Sequence, residues 1–191
     1  MKLFFREKLT EKELVEGCVK GSRKCHNMLF ELLSARMMGV CMRYAPDRDT
    51  AEDMLQDGFI KVFAYIGSFG FNGSLEGWVR RIMVNTAIEH YRKSLKFQSS
   101  DNLVDSLPAA EEEFIMQKLA TEELLRLIQG LPDGYRTIFN LYAIEGYTHR
   151  EIAEKLGISE GTSKSQLARA RKVLQDQLTS LNTIKDEACA R

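Results

Sequence analysis

The run from Gly161 to Lys172 holds four cations and no acidic residue, interleaved with small polar side chains and one amide. Long cations reach phosphates, whereas short hydroxyls and amides meet base edges in a major groove. The alternative is an amphipathic helix whose basic face is merely solvated, and charge alone favours it. The residues expected to contact DNA are Thr162, Ser163, Lys164, Ser165, Gln166, Arg169, Arg171 and Lys172.

The residues just before this run favour the DNA-binding interpretation. Thr148 and Glu151 form a capping-box pattern that starts a short helix, and Gly157 supplies the turn that ends it. Ser159 can then cap a second helix that turns Leu167 inward. Short helix, glycine turn and second helix make a helix-turn-helix, here predicted over 148–171.

A second set of cations alternates with aromatic rings between the glycine-rich segment 67–74 and Lys96. Such a combination can hold a DNA strand whose bases are unstacked. The alternative is that the apolar side chains lie in the core and the arginines in solvent. We accept the core assignment for Trp78 only. The set comprises Phe69, Phe71, Trp78, Arg80, Arg81, Tyr91, Arg92 and Lys93.

An acidic cluster precedes these residues. On a helix Asp53, Gln56 and Asp57 stand at positions i, i+3 and i+4, so they share one polar face. This face suits a basic protein partner. Spacing alone leaves a solvated helix face as an equal alternative.

The remaining reactive side chains predict no catalysis. Three histidines are scattered, and no glycine-rich phosphate loop is present. The four cysteines are irregularly spaced, and Cys18, Cys25 and His26 lack the close pairs of zinc sites. We therefore predict free thiols, no metal, no cofactor and no enzyme activity.

The chain has 191 residues, of which 44% are hydrophobic and 28% charged, with 27 basic and 27 acidic residues. Zero formal charge provides no overall field that attracts nucleic acid, so any charge-driven function must be regional. No apolar stretch reaches the length of a membrane span, and the amino end carries charges among its apolar positions, unlike a signal peptide. We expect a cytoplasmic location and no membrane insertion.

Apolar residues that recur every three or four positions predict an all-α fold. Breaks are expected at 44–47 and 67–74. Asp49 and Glu52 resemble a capping box, so a helix is predicted to start at Asp49. The apolar face expected for that helix comprises Met54, Leu55, Phe59, Ile60 and Phe63.

The segment from Phe97 to Glu123 carries seven acidic residues against Lys118 alone. Its first half is polar and contains Pro108, as in a flexible linker. We predict two helical domains, 10–96 and 114–180, joined by an acidic flexible linker at 97–113, with the helix-turn-helix in the second.

Taken together, these blocks resemble a bacterial RNA polymerase sigma factor of the sigma-70 superfamily, of the two-domain extracytoplasmic-function type. The resemblance covers about 12–178. It rests on the segments 51–59, 78–87, 131–139, 145–162 and 169–171, which begin Ala51-Glu52-Asp53, Trp78-Val79-Arg80, Leu131-Pro132, Glu145-Gly146-Tyr147 and Arg169-Ala170-Arg171.

The resemblance implies three surfaces. Asp53, Gln56 and Asp57 would bind the clamp helices of the largest subunit of core RNA polymerase. The second domain would read the minus-35 promoter element as duplex, and an anti-sigma factor is a further implied partner. Capture of a flipped base and of the separated minus-10 strand is implied for Phe69, Phe71, Asn72, Arg80, Arg81, Asn85, Tyr91 and Arg92.

Two positions depart from the common pattern of the family. Ser163 replaces a branched apolar residue, and Gln166 replaces an arginine. Because glutamine pairs with adenine and arginine with guanine, the minus-35 preference is expected to shift. The alternative function is a stand-alone helix-turn-helix regulator that uses the first domain to dimerise, but dimerisation does not require the aromatic and basic residues around Trp78.

Overall fold

The computed structural model describes residues 9–98 and 121–189, and all regular structure in these ranges is helical. The all-α prediction is confirmed. A 3-10 turn, Ile66–Ser68, follows the third helix, and a π-helical segment, Asn140–Ile144, follows the sixth. The α-helices are α1 (Glu11–Val19), α2 (Arg23–Tyr44), α3 (Arg48–Tyr65), α4 (Leu75–Gln98), α5 (Thr121–Gln129), α6 (Asp133–Phe139), α7 (His149–Leu156) and α8 (Glu160–Cys189).

Both predicted breaks occur, between α2 and α3 and between α3 and α4. A further break after α1 was not predicted; there Gly21 adopts a φ of 74°, which glycine tolerates without steric cost. Beyond the end of α4 at Gln98, the predicted linker lies outside the described residues, as does 114–120.

The chain divides by contact into two units, and the first lies within 1–41 and 52–86. Its core is apolar apart from the buried Thr86, and α3 approaches α4 closely at Gly58. A Cβ at this glycine would collide with Sδ of Met83, so the close packing depends on the absence of a side chain. The fully buried core side chains include Leu29, Met37, Val62, Val79 and Met83.

The second unit lies within 42–51 and 87–191. Here α6 and α7 both pack against α8. The apolar stripe of α8 thus forms one wall of the core, with Leu167 and Leu174 buried. Opposite them lie Ile128, Leu131, Ile138, Leu141 and Ile152.

Two details of α3 differ from the sequence prediction. The helix is capped by Asp47 rather than Asp49, because the Asp47 carboxylate accepts the Thr50 N–H at 2.8 Å. Ile60 does not join the apolar face, since its side chain is 67% exposed. Both corrections concern single positions of α3, and the helix itself was predicted.

Candidate functional site

The helix-turn-helix has the local geometry that its sequence predicts. Thr148 Oγ1 accepts the Glu151 N–H, and the Glu151 carboxylate accepts the Thr148 N–H at 2.8 Å, completing the capping box. Gly157 ends α7 in the left-handed conformation, with φ 70° and ψ 36°. Ser159 Oγ accepts the Thr162 N–H at 2.9 Å and caps α8. These bonds fix the angle at which α8 leaves the turn.

Ser163 does not lie on the surface of α8. Its side chain is fully buried, and its Oγ lies 2.9 Å from Nδ1 of His149 at the start of α7. The His149 ring in turn stacks on Tyr142, with centroids 4.6 Å apart and planes 24° apart. The prediction that Ser163 contacts DNA is therefore corrected: this hydroxyl joins the two helices of the motif.

The other predicted contacts of α8 differ in exposure. Lys164 and Lys172 are exposed, whereas Thr162, Ser165, Arg169 and Arg171 are partly buried. The Arg171 guanidinium lies 5.8 Å from the centroid of the Tyr142 ring, within cation–π range.

Gln166 lies close to Gly134, and so does Tyr91. A Cβ built at Gly134 would be 3.0 Å from Gln166 Oε1 and 3.0 Å from the Tyr91 hydroxyl. The Gln166 oxygen is buried without a hydrogen-bond partner among the described residues. Burial raises the pKa of Tyr91, and the charge of Asp133 adds to the rise. The structure thus brings together two residues that the sequence assigned to different DNA elements.

The glycine-rich loop surrounds a cavity of about 260 Å³. Its walls include Phe69, Asn72, Trp78 and Arg81. This volume is below the range of drug-sized sites. Three predicted residues of the strand-binding set therefore meet at one cavity.

Phe71 lies beside this cavity. It is 47% exposed, and its ring centroid is 4.9 Å from that of Phe69. Its backbone has a φ of 55°, a left-handed conformation that bulky residues rarely adopt. An exposed aromatic ring held in this way is available to a stacking partner.

Exposure divides the predicted strand contacts of α4. Arg81, Asn85 and Arg92 are exposed and lie at helical spacings of four and seven residues along one side. Arg80 and Tyr91 are partly buried and share a row with the buried residues 84 and 87. The exposed row begins at the cavity through Arg81.

The acidic face of α3 is open to solvent. Asp53 and Gln56 are exposed, Asp57 is partly exposed, and Leu55 and Phe59 are buried on the other side, as predicted. Ile60 stands four residues after Gln56 and therefore extends the same face. The acidic side chains and the exposed Ile60 side chain therefore lie on one side of α3.

The last turn of α2 is bound by side chains from later in the chain, a contact that sequence reasoning missed. Gln129 Nε2 donates to the Met42 carbonyl at 3.1 Å, and Asn140 Nδ2 donates to the Arg43 carbonyl at 2.7 Å. Arg136, only 3% exposed, donates to the Tyr44 carbonyl at 3.2 Å. Helix ends leave such carbonyls without partners. Arg136 stood in the motif that carries the family resemblance, but nothing in the sequence pointed to these partners.

No group of three His, Cys, Asp or Glu side chains in the described ranges could hold a metal ion. Cys18, Cys25 and Cys41 are buried and form no disulfide in the described part of the chain. Burial, with a smaller contribution from Cys25, raises the pKa of Cys18 to about 11. Within 9–98 and 121–189, no helix is long and apolar enough to cross a membrane.

Two family models match the chain. Sigma-70 region 2 matches 29–96, and sigma-70 region 4 matches 121–174. The first range contains the acidic face of α3, the loop cavity and the exposed row of α4. The second contains the helix-turn-helix.

Individual relatives extend over nearly the whole chain. The ECF RNA polymerase sigma-E factor of Haemophilus influenzae is 27% identical over 187 residues, which cover 92% of this chain and 98% of that protein. The RNA polymerase sigma-H factor of Pseudomonas aeruginosa is 24% identical over 184 residues, which cover 90% and 95%. Among solved structures, the sigma factor RpoE from Bartonella quintana, crystallised with the anti-sigma factor NepR, is 24% identical with a TM-score of 0.48, covering 80% of this chain and 96% of that one.

Proposed function

Since this chain belongs to the sigma-70 family of RNA polymerase sigma factors, of the extracytoplasmic-function type, we propose that it directs the polymerase to promoters through three separate surfaces. Residues 10–96 bind core polymerase and the opened minus-10 element, 114–180 bind the minus-35 element, and 97–113 connect them. Sigma factors are not enzymes, and this chain contributes recognition and strand opening while the polymerase supplies the catalysis.

The loop cavity is the observation that carries this proposal. A base that has left the stack needs a cavity to receive it, and this cavity combines rings, an amide and a cation in a small volume. Beyond it, Arg81, Asn85 and Arg92 provide a polar row along which a single strand can lie. A stand-alone helix-turn-helix regulator needs neither feature.

The minus-35 surface is α8, entering the major groove from the turn at Gly157. Lys164, Arg169, Arg171 and Lys172 contact phosphates, and Thr162, Ser165 and Gln166 face the bases. Because Gln166 Oε1 is buried, this side chain turns outward when α8 meets the bases.

The polymerase surface is the acidic face of α3, formed by Asp53, Gln56 and Asp57 and extended by Ile60. Its support is the exposure of these side chains on one side of the helix. The clamp helices of the largest catalytic subunit are its binding partner. The chain acts in the cytoplasm without a cofactor, and an anti-sigma factor is the regulatory partner that the family resemblance implies.

Transcription by purified core polymerase on a library of randomised promoters tests the proposal directly. With the protein, sequenced transcripts are expected to share start sites and a two-part consensus that are absent without it. Asp53→Arg should weaken core binding by about tenfold or more, because it places a cation on a face that suits a basic partner. A tenfold loss corresponds to about 1.4 kcal/mol. Glu16→Arg is the matched control: it makes the same charge change on exposed α1 and should leave start sites and yield unchanged.

Two results would contradict the proposal. Equal loss of transcription in Glu16→Arg would mean that net charge, and not the α3 face, determines core binding. No stimulation of core polymerase, together with specific duplex binding by the free protein, would establish the stand-alone regulator instead.

A further inference from the structure

His149 occupies a position between the two helices of the minus-35 surface that no recognition pattern assigned to it. Its Nδ1 is held by Ser163 of α8 at 2.9 Å, and its ring is held against Tyr142. The Ser163 side chain is fully buried, so the bond fixes the ring to the recognition helix. The serine that departs from the family pattern thus has a structural role: it orients an imidazole.

The other ring nitrogen of His149, Nε2, has no hydrogen-bond partner in the described part of the chain. It is not among the buried polar atoms that lack a partner, so it is accessible to solvent. A neutral imidazole has one donor and one acceptor, whereas the protonated ring donates from both nitrogens. With Nδ1 engaged by Ser163, Nε2 is the atom that can meet a ligand.

The charges around the ring come from α8. Lys164 and Arg171 repel the protonated imidazole, whereas Glu160 attracts it. The other groups beside the ring are the Tyr142 phenol, in the π-helical segment, and Arg150 on α7, which is exposed and pairs with Glu154 at 3.4 Å. A promoter phosphate bound by Lys164 or Arg171 would therefore oppose the effect of these two cations on the imidazole.

We propose that His149 is a further DNA-contacting residue of the minus-35 surface, and that its Nε2 binds a promoter phosphate and takes up one proton as the complex forms. The inference rests on the proposed minus-35 surface. The proton comes from solvent, and the resulting imidazolium is paired with the phosphate. DNA binding by this chain is consequently coupled to pH through one identified side chain.

The direction of the coupling follows from the free protein. Burial first, and then Lys164 and Arg171, hold the pKa of His149 below its ordinary value. Anionic phosphate offsets the two cations and favours the charged ring, so the pKa is higher in the complex than in the free protein. Affinity therefore rises as pH falls between these two values, and is independent of this group above and below them.

Promoter binding by the holoenzyme, formed from core polymerase and the full chain, tests the inference between pH 6 and 8 at constant ionic strength. The pH dependence of affinity is compared between a duplex with an intact minus-35 element and one in which that element is scrambled. The difference between them is the pH dependence that comes from this surface. With the intact element, affinity is expected to rise by several-fold more towards pH 6 than with the scrambled one; one proton permits at most about tenfold per pH unit.

His149→Asn keeps an amide that can bond Ser163 but cannot ionise. This substitution should abolish the part of the pH dependence that requires the minus-35 element. At pH 6 it should also reduce the slope of log affinity against log salt concentration by about one. His90→Asn is the matched control, because it removes a histidine of α4 and should retain the full minus-35 effect.

Two outcomes would overturn the inference, and each leaves the proposed function intact. One is identical pH dependence on the intact and scrambled elements with the unsubstituted chain, a comparison that needs no variant to fold. The other is unchanged pH dependence in His149→Asn. Failure of the holoenzyme to select any promoter would instead contradict the proposed function.

Discussion

Arg136 is a charged residue that the second unit uses as an internal connector. Its guanidinium donates to the carbonyls of Leu131 at 2.6 Å and Tyr44 at 3.2 Å, and it pairs with Asp133 at 3.1 Å. Because Asp133 is 44% exposed, the ion pair is partly screened, and the two carbonyl bonds account for most of the stabilisation. The cation also lies where the end of α2 carries partial negative charge.

We expect Arg136→Met to lower the free energy of unfolding by about 2–4 kcal/mol, because it leaves two buried carbonyls without donors. Urea denaturation of the full chain measures this. Arg150→Met is the matched control, since its pair with Glu154 is exposed on both sides, and it should change stability by less than about 0.5 kcal/mol. Equal effects of the two substitutions would show that burial of Arg136 is unimportant.

At the scale of secondary structure, the turn of the helix-turn-helix depends on one backbone conformation. Gly157 has a φ of 70°, whereas Gly161 lies in the first turn of α8 with only an ordinary contact to Ser159 Oγ at 3.6 Å. Gly157→Ala should destabilise the chain by about 1–2 kcal/mol, because a Cβ is disfavoured in the left-handed region. Gly161→Ala should be neutral or stabilising by up to about 1 kcal/mol, since alanine is the better helix former.

If the left-handed turn is what requires glycine, thermal unfolding gives a lower Tm for Gly157→Ala and an equal or higher Tm for Gly161→Ala. A similar loss in both would indicate that space, and not backbone conformation, limits these positions. The surroundings argue against that result, because nothing lies within 4 Å of a Cβ built at Gly157.

The same scale separates what the sequence could predict from what it could not. Caps at Thr148 and Ser159 and the turn at Gly157 were predicted correctly because each depends on neighbours within a few residues. The exposure of Ile60 and the burial of Ser163 were missed because each is decided by packing against another element. The contacts at the end of α2 join residues more than 80 positions apart and have no local pattern.

For the whole molecule, charge distribution matters more than total charge. The 27 cations and 27 acids cancel, yet 97–123 holds seven acids against one cation, whereas 161–172 holds four cations and no acid. Phosphate neutralisation supplies most nonspecific affinity, and an acidic segment on the same chain competes for the same cations. Free protein should therefore bind duplex promoters weakly at physiological salt and gain affinity mainly as part of the holoenzyme.

Neutralising the linker tests this expectation. The triple substitution Glu111→Gln, Glu112→Gln and Glu113→Gln should raise the affinity of the free full chain for duplex DNA by roughly threefold or more at low salt, with a smaller effect at high salt. Neutralising Glu11, Glu16 and Asp176, which are exposed and distant in sequence from the linker, controls for net charge. The same gain in both triple variants would show that DNA affinity does not depend on where in the chain the acidic residues are neutralised.

The left-handed backbone at Phe71 sets the stability of the fold against the strand-binding role proposed for this ring. A bulky residue in this conformation destabilises the fold by about 1–2 kcal/mol, and a glycine would remove that cost. Yet glycine would remove the exposed ring beside the cavity. Laboratory evolution for heat resistance alone should therefore enrich Phe71→Gly early, and the surviving clones should be robust proteins that open promoters poorly.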